Sequence, residues 1–203
     1  MEKKKVFIHR IDESDRLVFL NDEWITFARE NWSPSLQAGD FIGEPIWKYI
    51  TDADTRHLYS LLLDRIRKTQ AKVTIPYRCD SPDKKRFMEM VIAPSPDYQV
   101  EFQNRIVKEE PHGEILLLRS SRPRSNRLIA ICSWCKKVRL PEWLPGRGGE
   151  DHQIKWLEIE EFMPLLGPHT SISFPAVTHT ACEACYEAVM KEIDSVKSNR
   201  LEP

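Results

Sequence analysis

A chain of 203 residues has room for one or two domains. Its 41% hydrophobic and 30% charged content is that of a folded globular protein, and 30 Lys+Arg against 31 Asp+Glu leave a net charge of −1, which commits it to neither nucleic acid nor membrane. The longest apolar run is Leu128–Cys132, and Val6-Phe7-Ile8 is too short for a secretory signal. The expectation is a cytoplasmic protein with no membrane association, not a disulfide scaffold.

In chain order, Val6–Ile11 and Leu17–Leu20 read as strands around a turn at Asp12–Asp15. Asn21 or Asp22 caps a helix to Arg29, with Trp24, Phe27 and Ala28 on one face. A short element follows at Pro45–Ile50. Asp52 or Asp54 then opens a longer helix in which Leu58, Leu61, Leu62, Arg65 and Ile66 recur at three- and four-residue steps. Lys72–Cys79 alternates Val73, Ile75 and Tyr77 on one side, Ser81–Lys84 turns, and Phe87–Ile92 returns. Tyr98–Val107 supplies a third strand, which Glu114–Leu118 extends. Two strands, several helices and three more strands predict an α+β fold, an antiparallel sheet with helices on one face.

This order, and the passage from strand to helix through Phe19-Leu20-Asn21-Asp22-Glu23-Trp24, resembles a PAS domain over residues 5–108. The resemblance implies a signalling module that holds a small ligand between sheet and helices or binds partners, and that pairs as a homodimer. The candidate ligand-pocket residues are Trp24, Phe27, Trp47 and His57. The aromatics, with Tyr49, read first as core. His57 reads first as an exposed helical residue beside Arg56, and only through the resemblance as an axial haem ligand. Cys79 reads as a small hydrophobe, because the Asn-Cys-Arg-type helix motif of the flavin-reactive members is absent. The ligand stays open.

Charge divides the chain. Residues 119–139 carry Arg119, Arg122, Arg124, Arg127, Lys136, Lys137 and Arg139 and no acid, whereas both flanks are net acidic. Ser120–Asn126 has the Ser, Pro and Arg content of a linker. The expected organisation is a sensory or dimerisation domain at 1–118, a basic linker at 119–127 and a small domain at 128–203.

That last domain holds the strongest chemical signal. Cys132-Ser133-Trp134-Cys135 and Cys182-Glu183-Ala184-Cys185 are two C-x-x-C pairs. Two intervening residues let a tight turn present both sulfurs to one ion, and four cysteines complete the tetrahedron zinc prefers, so one structural Zn²⁺ per chain is expected. The 46 residues between the pairs exceed the usual ribbon gap of about 15–20. A folded insertion accounts for them: Pro141–Glu150 as loop, Lys155–Met163 as a helix with Trp156, Ile159 and Phe162 or Met163 on one face, and Ser171–Val177 as a strand. Cys185, Val189, Ile193 and Val196 then form one helical stripe. Cys182 and Cys185 fall in the first turn of that helix, where its dipole favours thiolates.

A knuckle, an intervening structured segment and a second knuckle opening a helix resemble a treble-clef zinc finger. Cys132, Cys135, Lys136, Lys137, Val138, Arg139, Trp156, Glu158, His179, Cys182 and Cys185 also resemble a cysteine module that follows bacterial sensory domains. Thr178 and Thr180 stand where that pattern has Ser and Gly. His179 reads as a residue that donates to a sulfur or to backbone, with direct ligation as the alternative. Lys136, Lys137 and Arg139 can offset the charge of a four-thiolate zinc.

No Walker loop, dinucleotide turn, His-Glu-x-x-His helix or kinase signature occurs, and four thiolates leave zinc no open position, so no enzymatic activity is expected. The sequence predicts a regulatory protein whose zinc module docks an unidentified protein partner. One alternative is nucleic-acid binding through Arg122, Arg124, Arg127, Trp134, Lys136, Lys137 and Arg139, a basic run around an aromatic face. The other is a thiol redox switch. Covalent haem is excluded, because Lys136 and Tyr186 stand where its His would be.

Overall fold

The computed structural model describes residues 5–119, 121–144, 154–167 and 173–196. The expected loop glycines Gly146, Gly148 and Gly149, and Ser171 and Ile172 at the head of the expected last strand, lie outside these residues.

Strands β1 (Val6–Ile11) and β2 (Leu17–Leu20) form the first hairpin. Asn21 then starts helix α1 (Asp22–Asn31). Its Oδ1 accepts from Trp24 N (3.0 Å) and Ile8 N (2.9 Å), and its Nδ2 donates to the Val6 carbonyl (2.8 Å). One amide therefore caps the helix and fixes it against β1. Asp52 caps α2 (Ala53–Thr69) by accepting from Thr55 N at 2.8 Å. Leu58, Leu62, Leu63 and Ile66 bury the inner face of α2, each contributing about 1.5–3 kcal/mol.

Strands β3 (Val73–Arg78), β4 (Lys84–Pro94) and β5 (Val100–Pro111) complete a five-stranded sheet in the order β2-β1-β5-β4-β3, every neighbour antiparallel. β5 returns to pair with β1, so α1, the short turns Ala38–Asp40 and Ile46–Lys48, and α2 cover one face. The architecture is α+β and PAS-like, accompanied by a small cysteine module.

Glu114–Leu118 does not extend the sheet. It closes as a 3-10 turn at Leu116–Leu118, because Ile115 and Leu117 turn away into a second core with Ile129, Ile131, Val138, Ile159 and Phe162. The expected linker is also shorter than its composition suggests. Strand β6 (Arg124–Cys132) begins inside it, and the Arg124 guanidinium donates to the carbonyls of Leu117 (2.9 Å), Arg119 (3.0 Å) and Pro175 (3.2 Å).

Beyond β6 come β7 (Val138–Arg139), β8 (Trp156–Leu157), α3 (Ile159–Phe162), β9 (Phe174–Thr180) and α4 (Glu183–Ser195). The helix expected over Lys155–Met163 is cut to α3 and a 3-10 turn at Met163–Leu166. Trp156 and Leu157 pair with β7 instead, and Glu158 N donates to Glu161 Oε2 (3.1 Å), which starts the helix only at Ile159.

The second sheet runs β8-β7-β6-β9, and β6 and β9 are parallel. Parallel neighbours need a long crossover, which accounts for the wide gap between the cysteine pairs.

The cores do not follow the chain order. Cys132, Trp134, Cys182, Val189, Ile193 and Val196 pack into the core of the five-stranded sheet, continuous with Leu58, Leu62 and Ile75. Polar contacts reinforce that seam. Thr55 Oγ1 donates to Ser133 Oγ (3.0 Å), Thr180 Oγ1 to Asp54 Oδ2 (2.6 Å), Arg65 to the Val196 carbonyl (2.6 Å) and Arg78 Nη1 to Glu158 Oε2 (2.6 Å).

Candidate metal centre and aromatic cavity

Cys132 ends β6 and is paired in register with Thr180, which ends β9. Parallel strands finish at the same end of a sheet, so the two knuckles that follow them meet there. Cys132 N donates to the Lys137 carbonyl (2.8 Å) and Lys136 N to the Cys132 carbonyl (3.0 Å), closing the first knuckle. Lys136 takes the left-handed conformation at φ 62°, and its Nζ donates to the Ser133 carbonyl (3.0 Å). Ser133 N donates to the Thr180 carbonyl (2.7 Å), joining the first knuckle to the approach of the second. Cys182 is the N-cap of α4, and Cys185 lies in its first turn.

The four Sγ atoms lie within 4.8 Å of one another. All four cysteines are free, Cys132 and Cys182 buried and Cys135 and Cys185 half-buried. Cys135 and Cys182 Sγ are 3.7 Å apart, far beyond a disulfide bond. Zinc–sulfur bonds of about 2.3 Å at tetrahedral angles set sulfurs about 3.8 Å apart. Cys182 N also donates to Cys132 Sγ at 3.4 Å. Spacing, burial and amide donation fit a divalent ion held by four thiolates.

Without a cation the thiols compete. Cys132 is pulled far below the ordinary thiol range by donation from Cys135, Cys182 and Cys185. Cys135, pushed up by Cys132 but pulled down by Cys182 and Cys185, settles at about 7. Cys182 and Cys185 are driven far up, first of all by Cys132. A bound cation removes that competition by accepting all four as thiolates.

His179 stands apart. It is exposed on β9 opposite Ile131, outside the four-sulfur cluster, and no hydrogen bond joins it to a cysteine among the described residues. Cys79 also lies outside the cluster, its thiol pushed up by burial.

Several of the proposed nucleic-acid contacts are buried or already engaged within the protein. Trp134 is only 4% exposed and points into the sheet core, so it cannot stack on a base. Arg124 is taken up by carbonyls and Lys136 by its own knuckle, while Arg127 lies over Trp143, 4.8 Å from the ring centre. Arg122, Lys137 and Arg139 are at least partly exposed.

A cavity of about 220 Å³ lies between β1, β5 and the covering helices, lined by His9, Trp24, Trp32, Phe41, Tyr49, Tyr59 and Phe102 with Leu17, Ile46 and Ile50. Of the four expected pocket residues only Trp24 lines it. Phe27 packs on Phe7 (ring centres 4.6 Å apart), Trp47 Nε1 donates to Asp15 (3.0 Å), and His57 is exposed on the outer side of α2 and stacks on Tyr186 (6.5 Å).

His9 and Tyr59 were missed. His9 shares its strand face with Phe7 and Ile11, and that alternation is the signal that places it inward. Its ring stacks on Phe102 (4.5 Å, 8°), its Nδ1 is shielded from solvent without a partner among the described residues, and burial pushes its pKa down to about 4. Tyr59, pushed up to about 12 by burial, donates only to Met90 Sδ at 3.7 Å.

No protein-family model matches the chain, and no curated protein matches it. Among solved structures, a sensory box sensor histidine kinase from Vibrio cholerae superposes with a TM-score of 0.38 and 9% identity, covering 51% of this chain and 82% of its own. A receptor from Vibrio cholerae, described as a dual PAS-haem oxygen sensor, gives 0.36 and 12%, covering 52% and 96%. The fold assignment rests on the chain's own strand order and not on these likenesses. No helix among the described residues is long and apolar enough to cross a membrane.

Proposed function

We propose that this is a non-enzymatic signalling protein: a PAS-like module that receives a small uncharged ligand, joined to a four-cysteine centre that holds one structural zinc. The observation that carries the reading is the convergence of four thiols, from knuckles 46 residues apart, to within 4.8 Å of one another against the sheet core. Four sulfurs fill the coordination shell, which favours a structural over a catalytic metal.

The cavity supports the sensor half of the proposal. Its walls are almost wholly aromatic and aliphatic, and its imidazole is neutral at physiological pH with a free ring nitrogen. That combination suits a flat, uncharged molecule with one hydrogen-bonding group. The signal passes to a partner protein by contact, and self-association as a homodimer belongs to the same proposal. Burial of Trp134 counts against the nucleic-acid reading.

Metal analysis and native mass spectrometry of protein purified without added metal test both halves. The expected result is about one zinc per chain and, in part of the sample, a further small-molecule mass lost on denaturation. Zinc-free protein with four reactive thiols refutes the metal centre. Failure of a panel of small neutral aromatics to bind the zinc-loaded protein refutes the ligand assignment.

A further inference from the structure

Trp134, between the first two cysteines, stacks on Tyr59 at 5.6 Å and 20°, and Tyr59 lines the cavity. On the far side Tyr59 abuts Phe102 (6.4 Å), which stacks on His9. A single contact between two rings, one in the knuckle and one in the cavity wall, therefore joins the two sites.

We propose that metal loading of the cysteine centre sets the wall of the aromatic cavity, through Trp134 packed on Tyr59. The inference rests on the zinc and cavity readings given above.

Trp134 cannot keep its place independently of the knuckle. It is followed directly by the ligand cysteine Cys135 and stands two residues after Cys132, its carbonyl accepts from Arg78 N (2.7 Å), and its neighbour Ser133 is bonded to Thr55 on α2, one turn before Tyr59. The indole itself has no polar anchor among the described residues: Nε1 is buried without a hydrogen-bond partner there. Packing and the knuckle alone position it.

Tyr59 is anchored almost as weakly, by a long contact to a thioether sulfur. When four sulfurs within 4.8 Å lose the cation that ties them together, nothing crosslinks the two knuckles and water enters between them, so the first knuckle opens. The indole is then released from the core, and Tyr59 relaxes into the space it leaves.

The cavity consequently has one shape with metal and another without. A ligand that prefers the first shape binds more tightly to the loaded protein, and by linkage it tightens metal binding by the same factor. Couplings of this kind are commonly 5- to 150-fold, and a two-ring relay suggests roughly tenfold.

The test uses the full chain loaded with zinc and labelled with 5-fluorotryptophan, each resonance assigned by a Trp→Phe variant. Zinc is removed by chelator under reducing conditions, and indole serves as the cavity probe. The Trp134 resonance is expected to move on zinc removal, together with that of Trp24, which lines the cavity on α1. Trp47, hydrogen-bonded to Asp15 outside the cavity, is expected to stay, showing that the sheet half remains folded. Indole affinity falls by roughly tenfold.

Tyr59→Leu keeps zinc but severs the relay, so Trp24 no longer responds. A Trp24 resonance that is unmoved while zinc leaves and Trp134 shifts overturns the coupling and leaves the metal centre standing. Protein that takes up no zinc overturns both. Indole that fails to bind while Trp24 still responds upholds the coupling and removes only the aromatic-ligand assignment.

Discussion

Trp134→Ala and Trp134→Phe form a pair whose difference is worked from the structure. Trp134 is a knuckle residue only 4% exposed, in the same core as Leu58 and Ile75. Truncation to Ala removes the whole ring system from a packed core, at a cost of about 3–5 kcal/mol. In a domain of this size 1 kcal/mol moves Tm by about 2–4 °C, so melting is expected to fall by roughly 6–20 °C. Trp134→Phe behaves differently. It keeps a ring on Tyr59 and removes a buried N–H that has no partner, a group whose burial costs about 1–3 kcal/mol. That gain offsets most of the lost volume, and the Phe variant is expected within about 1 kcal/mol of the parent. Urea unfolding of both variants with zinc bound, followed by circular dichroism, gives the two values. An Ala variant as stable as the parent refutes the claim that the knuckle is part of the sheet core.

His9 gives a pH dependence with a definite sign. Its folded pKa of about 4 lies below the unfolded value of 6.5, so the unfolded chain takes up a proton that the folded chain refuses. Stability therefore falls as pH drops from about 6.5 to 4, by up to roughly 3 kcal/mol, and His9→Leu should flatten that part of the profile. Arg78 pairs with Asp80, whose side chain is 1% exposed. Arg78→Met strands that carboxylate and should cost about 3–5 kcal/mol, part of which Asp80→Ala restores in the double variant. Lys136 holds φ 62°. Lys136→Gly should retain zinc within about 1 kcal/mol of stability, whereas β-branched Lys136→Val should lose about 1–2 kcal/mol and release metal faster to a chelator.

Much of the first half was legible because local chemistry and tertiary structure agree there. Asn21 and Asp52 cap the helices their side chains suggested, and Val73, Ile75 and Tyr77 alternate as the strand requires. The cysteine spacing likewise pointed to four convergent sulfurs. What local pattern could not supply was packing between distant segments. Trp134 beside Lys136 and Lys137 reads as a surface aromatic, and only the register of Cys132 with Thr180 turns the knuckle toward the sheet. Arg124 looks like linker charge until the carbonyls of Leu117 and Pro175 are brought to it. Trp156 carries a helical spacing, but its indole N–H finds Glu183 and its backbone finds Arg139, which hold it in a strand. His57 lies on the side of α2 that a fold without the C-terminal module would leave to solvent, and its partner Tyr186 comes from α4.

The most direct test of the account is zinc content measured together with thiol reactivity on the same native sample. About one zinc per chain is expected, with Cys132, Cys135, Cys182 and Cys185 protected from alkylation until a chelator removes the metal. Protein without zinc whose four thiols react freely, or a disulfide within either knuckle pair, would contradict it.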